Sequence, residues 1–168
     1  MASNFFNYTQ EWVNGEMLEG MIIAIFGIFA ILIGVAIWHY GKTPAPRALI
    51  IPIILCGMVY TGIGLSLRIN DRHLTEQFHK EYQTNPQAFV VKEKERVEGF
   101  QYMYTISKVV ATVTFIATLL IFWFTKSAAW QGAAIGLTLF GISGLIVDYF
   151  SQHRAMAYYD AILKALTS

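Results

Sequence analysis

The sequence predicts an all-α integral membrane protein: four transmembrane helices, a cytoplasmic helical hairpin extending spans two and three, and a C-terminal helix continuing span four. Three observations carry this. Four long apolar runs, Gly20–Trp38, Ala48–Leu67, Val109–Thr125 and Ala128–Val147, occur in two pairs. Each approaches the length, about 20 residues at 1.5 Å of rise apiece, that a helix needs to cross a bilayer. Between the pairs, Arg68–Tyr102 holds half of the lysines and arginines and more than half of the acids, yet keeps a helical period. At 168 residues and 55% hydrophobic, the chain fits a single membrane domain. Its spans are expected at about 20–38, 48–67, 105–125 and 128–148, its cytoplasmic hairpin at 68–104 and its C-terminal helix at 149–166.

The first run is expected to be a true span. A cleavable signal peptide opens with a basic segment, whereas Met1–Glu19 contains no lysine or arginine and three glutamates. Ahead of it, Phe5, Tyr8 and Trp12 recur at helical spacing. They predict a short amphipathic helix over Asn4–Val13, lying flat on the inner surface and ended by an Asn14-Gly15 break. Asn7-Tyr8-Thr9 is a formal glycosylation sequon, which on the cytoplasmic side meets no glycosylating enzyme.

Span two follows a turn marked by Pro44 and Pro46, with Pro52 a mild bend inside it. It continues beyond the membrane as a stripe of Leu67, Leu74, Phe78 and Tyr82, flanked by the i,i+4 pairs Arg72/Glu76 and Glu76/Lys80. Thr84-Asn85-Pro86 supplies a stop, a cap and a restart. Phe89, Glu93, Val97, Phe100 and Tyr104 lead into span three, and Ala155, Tyr158, Ile162 and Ala165 carry span four onward. The expectation is a three-helix cytoplasmic bundle with Glu93, Glu95, Arg96 and Glu98 on its solvated outside.

Orientation follows from lysine and arginine. Arg68, Arg72, Lys80, Lys92, Lys94, Arg96, Lys108, Arg154 and Lys164 fall on the side of the termini, against Lys42, Arg47 and Lys126 opposite. The richer side is cytoplasmic, which predicts both termini inside, and the compactness of the chain points to a bacterial inner membrane. Trp38, Trp123 and Trp130 fall at the opposite headgroup zone, where indoles prefer to sit.

Several functions are disfavoured. A net charge of +1 lacks the basic excess that nucleic-acid binding requires, so no nucleic-acid partner is expected. The lone Cys56 implies packing rather than a disulfide or thiolate cluster. His73 and His79, six apart, fall on different helical faces and cannot chelate one metal, and no metal site is predicted. No span carries an ionisable group at its middle, which argues against proton-coupled transport or a charge-selective pore. A four-helix haem bundle needs histidine pairs within the spans, and none of the four histidines is there. The chain has no catalytic motif, and the catalytic residues stay unknown.

Ionisable groups do gather at the cytoplasmic membrane edge: Glu16 and Glu19, Arg68 and Asp71, Lys108, Asp148, and then His153 and Arg154. The structural expectation is a salt-bridge collar pairing Asp148 with Arg68 or Lys108, and Glu19 with the remaining cation. The functional one is a ligand site of Glu19, Arg68, Lys108, Asp148, His153 and Arg154, holding a lipid head or quinone-like group. No other cofactor is expected. Small residues form a last pattern: Gly132, Gly136, Gly141 and Gly144 in span four, with further glycines in spans one and two, suit close helix packing. The leading expectation is therefore a protein that works by assembly, as a homo-oligomer or an accessory subunit of a membrane complex in the lipid bilayer. The alternative is a membrane enzyme or a lipid- or quinone-binding protein using the polar edge, and a channel or transporter comes last.

Overall fold

The structure, a computed structural model, describes residues 2–167, with side chains described for all of these except residues 2–4 and 71–73. The fold is all-α. Four helices, α1 (Ala2–Tyr40), α2 (Pro44–Thr84), α3 (Pro86–Phe124) and α4 (Ala128–Thr167), make up almost the whole chain. Each contains a segment long and apolar enough to cross a membrane. The breaks between them are short. Gly41–Thr43 precedes prolines at the start of α2, and Thr125–Ser127 separates α3 from α4. Asn85 alone separates α2 from α3. It is extended (φ −154°, ψ 94°), its side chain accepts a hydrogen bond from the Ala88 amide at 3.0 Å, and Pro86 opens the next helix.

The molecule is two long hairpins, α1–α2 and α3–α4, and α4 lies against α2. Glycines set both seams in the apolar half. A Cβ on Gly27 would stand 2.4 Å from the Thr61 backbone nitrogen, and one on Gly64 2.4 Å from the Gly20 carbonyl oxygen, so α1 and α2 run backbone to backbone. Between α2 and α4, a Cβ on Gly132 would meet the Ala48 carbonyl oxygen at 2.3 Å, and one on Gly136 would meet the Pro52 ring at 2.4 Å. Gly141 is packed on Thr114 and Phe115 of α3. The glycine faces singled out in the sequence are thus used within the chain. Of those in the apolar half, Gly62 alone has open space beside it.

In the polar half, all four helices close around one core. Phe5 of α1 sits against Tyr82 of α2, Phe89 of α3 and Tyr158 of α4, with ring centroids 6.5, 6.3 and 6.0 Å away. Here the sequence expectation is corrected. There is no break at Asn14-Gly15 and no separate surface helix, because α1 is continuous from Ala2 to Tyr40. Phe5, Thr9, Trp12 and Val13 are buried and form one stripe with Gly20, Ile23, Ala24 and Gly27 further along. That register lets α1 dock as a fourth member of the bundle. Gly15 is a seat rather than a stop: a Cβ there would lie 2.8 Å from Arg154 Cδ.

Candidate functional site

Two polar constellations lie inside this frame. The first is in the polar core and runs against expectation. Glu93, expected on the solvated outside with Glu95, Arg96 and Glu98, is only 1% exposed. It lies on the same stripe as Phe89 and Val97, and that stripe faces the other three helices. A buried carboxylate must be paired. Arg96, one turn on, grips it through Nε to Oε1 at 2.8 Å and a terminal nitrogen to Oε2 at 2.7 Å. The Tyr158 hydroxyl donates to Oε2 at 2.9 Å. Burial, and then the Glu93 charge, push the Tyr158 phenol well above its ordinary range, so it stays a donor. With the phenol proton committed to Glu93, the Thr9 hydroxyl donates to Tyr158 at 3.0 Å. The Arg96 guanidinium is covered by Trp12, 4.5 Å from the ring centroid, and flanked by Phe78 and Phe100. This is a buried clamp joining α1, α3 and α4.

The second constellation is the collar between the polar and apolar halves. The structure brings some of the predicted residues together and separates others. Arg154 of α4 pairs with both Glu16 (2.9 Å) and Glu19 of α1. Glu16 and Glu19 are one turn apart on the face that Gly15 opens, so a single guanidinium serves two carboxylates. Lys108 of α3 donates to Gln152 of α4 at 3.0 Å. Arg68 is half-buried and belongs to no ion pair among the described residues. Its backbone lies beside Gly20 of α1, which aligns that part of α2 with α1 rather than α4. His153 is exposed. Asp71 and His73 lie outside the described side chains.

Asp148 is therefore paired with neither Arg68 nor Lys108, which corrects the expected bridge. Helical geometry explains why. Lys108 reaches Gln152, a full turn beyond Asp148 on α4. Asp148 instead shares a face with Gly141 and Gly144, at spacings of seven and four residues, and that face looks into a gap. The gap exists because α2 and α3 scarcely touch. Its volume is 340 Å³. Ile23, Tyr60 and Ile63 form one wall, and Met103, Ile106 and Val110 of α3 form the other. Gly144 floors it, where an added Cβ would meet only the Tyr60 hydroxyl, at 3.2 Å. That hydroxyl donates to the Phe140 carbonyl at 2.6 Å and is therefore committed. Ser107 and Asp148 are the polar groups at the end toward the collar, and Asp148 Oδ2 is buried without a hydrogen-bond partner.

The sequence pointed to Asp148 but not to the walls of its cleft. The helical period places Gly141, Gly144 and Asp148 on one face, a small-residue floor ending in an acid, and that was the available signal. Nothing in one sequence says that α3 stands away from α2. Among the described residues, no three metal-ligating side chains converge. No protein-family model, curated protein or solved structure matches this chain.

Proposed function

We propose that this is an integral membrane protein that binds a membrane-resident amphipathic molecule in the cleft between α2 and α3. The observation that carries the reading is the 340 Å³ gap, apolar along its length and ending on an unpartnered carboxylate. Ligand sites are typically concave and apolar with a few convergent polar groups. The mouth residues Ile63, Met103, Ile106 and Val110 are exposed, so the entrance faces the surroundings of the helices rather than a sealed interior. In a bilayer those surroundings are lipid tails. The lysine and arginine excess at the end with the termini supports a cytoplasmic orientation for that end, and a bacterial inner membrane fits it. The cleft then lies at headgroup depth on the cytoplasmic side.

Native mass spectrometry of gently extracted protein tests this. A discrete small added mass, lost in Asp148→Asn, is the expected result. Bare protein from every mild extraction would sink the reading.

An assembly role keeps one observation of its own. Gly62, in the apolar half of α2, has nothing within 4 Å, so a helix of another copy or of a partner subunit has room to approach closely. A Gly62→Cys variant should then form a disulfide-linked species when native membranes are treated with a thiol oxidant that accepts the two electrons, and a strictly monomeric product counts against it. Cys56 is buried and does not compete.

A further inference from the structure

We infer that the ligand of this cleft carries a cationic head: an alkyl chain ending in a protonated amine. The inference rests on the binding role just proposed and names the chemistry of its ligand. The collar is acid-rich. Arg154 is shared by Glu16 and Glu19, whereas Asp148 Oδ2 is buried without a partner. Lys108 is exposed and held by Gln152, and neither it nor Arg68 lines the gap. Every described residue lining the gap is neutral except Asp148.

The end of the cleft thus presents one acid with no lining cation to pair with it. A carboxylate with one oxygen withdrawn from water favours an opposite charge beside it over a like one. A phosphate or carboxylate head would meet Asp148 with no lining cation to offset it. A neutral head with one hydroxyl could donate a hydrogen bond to Oδ2 but supplies no opposite charge to the acid. An ammonium head supplies both the donor and the compensating charge, and hydrogen bonds between charged partners are the stronger kind. The apolar walls take the chain, which leaves the cleft between Ile63 on α2 and Met103, Ile106 and Val110 on α3. The occupant is therefore a lipophilic amine lying with its nitrogen at Asp148.

Three photoreactive probes of the same chain length, differing only in an amine, an alcohol or a carboxylate head, test this. Each is added to the full-length protein in nanodiscs of zwitterionic lipid, and the labelled peptides are mapped. The amine is expected to label 102–110 and 141–148 about tenfold more than the carboxylate, the size of one charge-assisted contact. Labelling should fall in Asp148→Asn, return in Asp148→Glu, and fall again in Val110→Trp, which narrows the mouth at an exposed position without disturbing the core. Unchanged melting temperatures show that these variants fold. Equal labelling by all three heads, or preference for the alcohol or carboxylate, overturns the cationic assignment while the cleft remains a binding site. Failure of all three probes to label the cleft overturns both.

Discussion

At the residue scale, the most consequential side chain outside the cleft is Glu93. Truncating one partner of a buried ion pair strands the other, which typically costs about 3–5 kcal/mol. Glu93→Ala leaves Arg96 and the Tyr158 hydroxyl without their acceptor. It should lower the melting temperature sharply, whereas Glu95→Ala, two positions on and exposed, should stay within about 0.5 kcal/mol. Equal effects in a thermal unfolding series would contradict the clamp. A weaker, pH-dependent contribution sits at Glu81. The hydrogen bond from Lys92, then that from Gln77, holds its carboxyl below the usual range. A lowered folded value means that the stabilisation is full above the ordinary glutamate pKa of about 4.3 and fades as pH falls through the folded value. The pair stands at the surface with Lys92 exposed, so the contribution is at most about 1 kcal/mol. Lys92→Ala should therefore cost little at neutral pH and nothing in strong acid, as thermal melts across that range would show. The sequence exposed the stripe containing Glu93 but not its burial, because a glutamate on a helix is nearly always at the surface. Trp12 misleads in the opposite way: an aromatic near an apolar run resembles a membrane-surface anchor, while here it covers Arg96 in the core.

At the element scale, the helices were largely legible and their partners were not. The four apolar runs each fall within one helix and the Thr84-Asn85-Pro86 restart separates α2 from α3, whereas the expected break at Asn14-Gly15 is absent. Periodicity tells which residues share a face, but the opposing helix is set by tertiary packing. Lys108 and Asp148 were therefore matched by depth, while the structure separates them by a helical turn. The glycine seams yield a sharp contrast. Gly27→Leu forces side-chain atoms into the α2 backbone at a position with no slack, so α1 and α2 must part. Gly62→Leu enters open space. The first should abolish folded protein, or lower its melting temperature by far more than the second. Similar behaviour of the two would contradict the backbone-to-backbone seam.

At the scale of the whole molecule, a tight polar bundle and a looser apolar half have distinct roles in the architecture. The bundle fixes the four helices at one end through the aromatic core around Phe5 and the Glu93 clamp. Further along, α1 stays on α2 and α3 stays on α4, and the space between α2 and α3 opens beneath the collar. Ile162→Ala, in the fully buried part of the bundle, removes packing worth about 2–5 kcal/mol. Its effect should fall on global unfolding, with amine labelling of the cleft retained wherever the protein is still folded. Loss of labelling in a variant that remains folded would show that the two halves are not independent.

The single residue between α2 and α3 also bears on biogenesis. Because Asn85 is the whole connection, everything that makes the α1–α2 seam precedes it in the chain, and everything that makes the α3–α4 seam follows it. The first hairpin therefore leaves the ribosome before the second is complete, and chains generally mature in that order. The first hairpin can zip along its glycines while Tyr158 is still unmade. The aromatic bundle, which needs all four helices, is the last part to be assembled, and the cleft appears with it.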